Sequence, residues 1–105
     1  MQLVRIQRAR NPLKKLEAVF DDGRVIAFGA AGYGDYIRYH RRDPVLAAAK
    51  RRAYLKRHGS GSDPAAPRRE DWTRPDTPGS LARWILWESP DLAAAVAAYR
   101  ARFGV

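Results

Sequence analysis

A chain of 105 residues has room for one domain with a thin core, and its cysteine-free composition excludes disulfides, thiolate nucleophiles and Cys-ligated zinc. Twenty basic against eleven acidic residues give a formal net charge of +9; sixteen of the twenty are Arg, whose planar fork matches phosphate and carboxylate, so the balance points to an anionic partner. The opening MQLVRIQRAR lacks the apolar run of a signal peptide, and the longest strongly apolar run, Trp84 to Trp87, is too short to span a bilayer, so a soluble intracellular protein with no membrane contact is expected.

In chain order, residues 3–28 predict strands. LVRIQR alternates enough for an edge strand, with Arg5, Arg8 and Arg10 on a polar face. KLEAVF and RVIAFG flank Asp21-Asp22-Gly23, a hairpin signal. A three-residue loop with Gly23 left-handed pairs Leu16 with Phe28 and Ala18 with Ile26. It gathers Leu16, Ala18, Phe20, Ile26 and Phe28 on one face. A two-residue turn would instead pair Phe20 with Val25 and gather less apolar volume.

Residues 29–42 read as a Gly/Tyr loop, with Tyr33, Tyr36 and Tyr39 spaced by three. The tyrosines either pack the loop onto the domain or offer flat faces to bases. The glycines match neither a P-loop nor a dinucleotide fingerprint. Asp43-Pro44, Thr77-Pro78 and Ser89-Pro90 each set a capping side chain before a proline, which predicts helices over 44–58, 78–88 and 90–103.

The first of these helices is rich in Lys and Arg, with an apolar seam of Val45, Leu46, Ala49 and Ala53, while Tyr54 and Leu55 point elsewhere. Residues 59–76 read as a long loop anchored by Trp72. The second helix is apolar nearly all round, with Leu81, Trp84 and Ile85 as its core face. The third places Leu92, Val96, Tyr99 and Phe103 on one face and ends at Gly104. The fold expected is α+β, a two- or three-stranded antiparallel sheet on three helices.

No catalytic residue, metal ligand or cofactor is expected. His40 and His58 lack partners at metal spacing. The serines read as loop and cap residues, and Asp35 reads as a turn or cap residue rather than a base beside His40.

Phe28-Gly29-Ala30, Gly32-Tyr33, Asp35-Tyr36, Tyr54, Arg57-His58, Trp72, Arg83-Trp84, Leu86-Trp87, Pro90 and Arg102-Phe103 form a pattern of rare residues at fixed spacing. Over about residues 25–103 it resembles a family of short basic proteins of large DNA viruses of algae and amoebae and of some phages. Leu81, in place of an aromatic residue, and GSGSDPAAP, an apparent insertion, depart from that pattern. The resemblance implies a viral setting and a shared fold, and it implies no mechanism.

The stretch Arg38 to His58 carries eight basic residues and one acid. The function expected is non-enzymatic binding of nucleic acid, DNA above all, through phosphate contacts from Arg38, Arg41, Arg42, Lys50, Arg51, Arg52, Lys56 and Arg57. Tyr36 or Tyr39 would be stacking partners. The rival is a minor capsid or virion component that sets the same charges against acidic protein neighbours.

Overall fold

A computed structural model describes residues 1–59 and 70–105; GSGSDPAAP, apart from Gly59, lies outside them, as does most of the expected 59–76 loop. Strands β1 (Leu3–Arg8), β2 (Lys14–Phe20) and β3 (Val25–Ala30) form an antiparallel meander in that order. Four helices among the described residues complete an α+β fold. They are α1 (Tyr36–Arg42), α2 (Pro44–His58), α3 (Pro78–Leu81), which widens into a π-helical turn over Ala82–Leu86, and α4 (Leu92–Phe103).

The hairpin has the first of the two registers. Leu16 pairs with Phe28 and Ala18 with Ile26, and Gly23 takes φ +90° in the loop. That conformation suits a residue without Cβ. Ala18, Phe20 and Phe28 are fully buried, and Leu81, Ile85 and Tyr99 meet them from the helical side. Burying each large apolar side chain contributes about 1.5–3 kcal/mol. β1 pairs with β2 through a bulge between Leu3 and Arg5, after which Arg8 lies opposite Leu16. Arg8 therefore shares the face of Leu16 and does not join Arg5 on the polar face expected for Arg5, Arg8 and Arg10 together.

Three helix boundaries differ from the sequence expectation. Residues 36–42 are helical rather than loop, because the Asp35 carboxylate caps the turn by accepting from Arg38 N at 2.9 Å. The final helix starts at Leu92, not at Pro90. Asp91 is as good a cap as Ser89 and accepts from Ala94 N at 2.9 Å, while Ser89 Oγ only braces the turn by accepting from Asp91 N. The core helix ends at Leu86 after its π-helical turn.

Trp84, expected in the core, is half-buried. Its ring lies between the guanidinium groups of Arg83 and Arg102, at 4.1 and 3.5 Å, an environment that suits an indole face. Of the expected face of α4 only Leu92 is exposed; Tyr99 is buried, Val96 and Phe103 are partly buried against the core, and Ala95 joins them. Trp72 does anchor its segment: its carbonyl accepts from Trp84 Nε1 at 3.0 Å, and the Pro75 carbonyl accepts from Tyr99 OH at 2.6 Å.

Candidate nucleic-acid interface

The basic region is built on two helices that meet at one residue. The Asp43 N–H closes α1 by donating to the Tyr39 carbonyl at 2.9 Å. The Asp43 side chain opens α2 by accepting from Val45 N and Leu46 N, and Pro44 fills the first helical position, where no N–H is needed. At the other end of α1, the two Asp35 oxygens are both engaged, one by Arg38 N and the other by Lys15 Nζ at 2.7 Å. Asp35 is thus a cap, as expected.

The rotation of α2 about its axis is the main correction to the sequence reading. Val45, Leu46, Ala49 and Ala53, the expected seam, are exposed. The inward side is Ala47, Arg51, Tyr54 and His58, spaced i, i+4, i+7 and i+11. The Tyr54 ring stacks on Trp87 at 4.4 Å and 6°, with His58 against it at 4.5 Å. Burial, the larger cause, and Glu70 push the Tyr54 phenol well above its usual range.

Arg51 Nε donates to the Trp87 carbonyl at 2.7 Å, and its guanidinium lies 3.7 Å from Glu88 and over the Tyr36 ring. Glu88 also accepts from Arg83 at 2.6 Å, and His58 Nδ1 lies 2.6 Å from Glu70. The inward side gains the stack of Tyr54 on Trp87 and satisfied partners for Arg51 and His58, and it is this side that faces the core.

The expected site residues therefore divide. Arg38, Arg41, Arg42, Lys50, Arg52, Lys56 and Arg57 are exposed, and none pairs with a carboxylate among the described residues. Arg51 does not join them, since it faces inward and holds α2 to the end of the π-helical turn.

Tyr36 and Tyr39 are not free stacking platforms. Tyr36 packs on His40 and Arg51, and Tyr39 packs on Trp87 so closely over Gly34 that a Cβ there would collide with its ring. The exposed tyrosine is Tyr33, at 73% exposure. Lys50 Nζ lies 5.6 Å from the Tyr39 ring centre, which leaves the ammonium at the surface. The exposed Val45 and Leu46 also border this surface, and the charge pattern alone had hidden them by assigning them to the core.

Among the described residues no group of His, Asp and Glu is arranged to hold a metal ion, and no helix is long and apolar enough to cross a membrane. Comparison with curated proteins and with solved structures gives no match. A family model does match, over residues 4–58, so the chain belongs to a family of unknown function, DUF5754. The matched span runs from β1 to the last residue of α2 and so contains the sheet and both basic helices.

Proposed function

We propose that this DUF5754 protein is a non-enzymatic nucleic-acid-binding protein that lays the outward side of α2 and the end of α1 against the phosphates of duplex DNA. The viral setting implied by its sequence resemblance is part of this proposal. The observation that supports it is the set of exposed cations, Arg41, Arg42, Lys50, Arg52, Lys56 and Arg57, with no carboxylate partner among the described residues. Arg52 and Lys56 are one helical turn apart, so they repel each other until an anion lies beside them. Contacts of this kind give affinity without choice of sequence.

The test is a salt titration of DNA binding by wild type and the Arg52→Gln/Lys56→Gln/Arg57→Gln variant. Wild type should bind steeply with falling salt, and the variant should lose a slope of roughly 3 units if three phosphate contacts go. Wild-type affinity that is absent at low salt, or flat across the titration, would overturn the proposal.

A second reading is favoured by one observation. Val45 is 81% exposed and lies among these cations with Leu46, where phosphates gain nothing from it. A minor virion component docked on an acidic protein surface would use both kinds of side chain. Val45→Ser/Leu46→Ser should leave DNA affinity intact under the first reading and abolish incorporation into an assembly under the second.

A further inference from the structure

A cleft of about 670 Å³ opens at the end of the sheet where the β1–β2 turn and the residues after β3 meet the start of α1. Alternation along β2 sets Lys14 on the same face as Leu16, Ala18 and Phe20, and pairing with Leu16 sets Arg8 on it too. The face that is core from Leu16 onward is therefore cationic before it. Arg38 of α1 and the Lys15–Asp35 ion pair complete the basic wall, and Ala9, Pro12, Ala31 and Gly32 supply the rest.

The charges in this cleft are not balanced. Asp35 is its one acid among the described residues, and it is taken up by Lys15 at 2.7 Å and by the backbone of Arg38. Arg10 turns to Glu17 at 3.0 Å. Arg8, Lys14 and Arg38 have no carboxylate partner among the described residues. Inward cations on an edge strand can serve to block strand pairing. That would account for Arg8, but Lys14 lies on the central strand, which has no open edge to protect.

We infer that this cleft is a binding site for a small anion of linked phosphates, a pyrophosphate or triphosphate chain, distinct from the outward side of α2. Its volume falls within the roughly 300–1,000 Å³ of small-ligand sites. Two guanidinium groups grip phosphate oxygens in pairs, and the Lys14 ammonium adds a mobile point charge. Three unpaired cations match an anion of several charges better than a single carboxylate. Among the described residues no aromatic side chain lines the cleft, so the site takes the phosphate chain and ignores any base attached to it.

The test is calorimetric titration of the protein with inorganic tripolyphosphate, ATP and GTP, without metal. The three should bind with similar affinity. Arg8→Gln/Lys14→Gln/Arg38→Gln should weaken all three by about tenfold for each charge-assisted contact removed. Arg52→Gln/Lys56→Gln/Arg57→Gln, which lowers the net charge equally, should bind them almost as wild type does. Should the cleft variant fail to fold in a thermal melt, Lys14→Gln alone replaces it, since Lys14 is exposed and makes no ion pair among the described residues. Equal weakening by the two triple variants would mean diffuse attraction to net charge and would overturn the site. So would undiminished binding by the cleft variant or by Lys14→Gln, binding of ATP without tripolyphosphate, or no binding at all. The α2 variant also separates this site from the DNA interface, because each can fail while the other stands.

Discussion

The two sides of α2 invert the usual order of a surface helix. Its inward side carries Arg51, Tyr54 and His58, and its outward side carries Val45, Leu46, Ala49 and Ala53 among cations. The inward Arg51 and His58 are accepted because each has a partner waiting, the Trp87 carbonyl and Glu88 for the first and Glu70 for the second, while Tyr54 stacks its ring on Trp87. The outward aliphatic groups have none among the described residues. Polarity alone does not orient a short basic helix; the supply of partners on the surface beneath it does.

The largest test of this contrast is Tyr54→Ala. Loss of the ring from its stack on Trp87 should lower stability by about 3–5 kcal/mol in urea unfolding, enough to threaten a domain of this size. Arg51→Gln should come next, at about 1.5–3 kcal/mol, through the lost charged donor to the Trp87 carbonyl and the weakened hold on Glu88. If Arg51→Gln is silent, the inward side rests on Tyr54 alone.

Alkaline pH offers a finer probe. Burial raises the phenols of both Tyr54 and Tyr99, the latter to about 12. An unfolded phenol titrates near 10, so the folded state holds these protons more tightly. Stability from this source is complete below about pH 10 and is lost as pH rises toward and past 12. Tyr54→Phe should leave neutral stability close to wild type and make the alkaline decline shallower, with the Tyr99 share remaining. An unchanged decline would mean that the Tyr54 phenol reaches solvent. The smallest effect belongs to the outward side, where Arg52→Gln/Lys56→Gln/Arg57→Gln should move each residue's contribution to a thermal melt by no more than about 0.5 kcal/mol. A larger loss would place these cations in internal ion pairs.

What the sequence made legible was local. Gly23 and the apolar residues around it were enough for the hairpin register, and Asp43 and Thr77 marked two helix starts by their own side chains. Helix α1 was obscured because its seven residues follow three glycines and carry tyrosines suited equally to a loop. The facing of α2 depended on Trp87, 36 residues away from Arg51, and no window along the chain contains that pairing. Trp84 was misplaced for a similar reason, since the guanidinium of Arg102 that covers its ring comes from another helix. For the candidate site, the exposed cations could be listed from sequence, but the removal of Arg51 from their number and the gathering of Arg8, Lys14 and Arg38 could not.

Asp43 closes one helix with its backbone and begins the next with its carboxylate. A junction of this kind has no slack, because no residue between the helices is left over to act as a hinge. Amide hydrogen exchange should therefore find α1 and α2 opening together as one cooperative unit, and Asp43→Ala should speed exchange in the last turn of α1 and the first turn of α2 alike. Whatever binds the outward cations would then slow exchange along both helices at once, including amides it never touches.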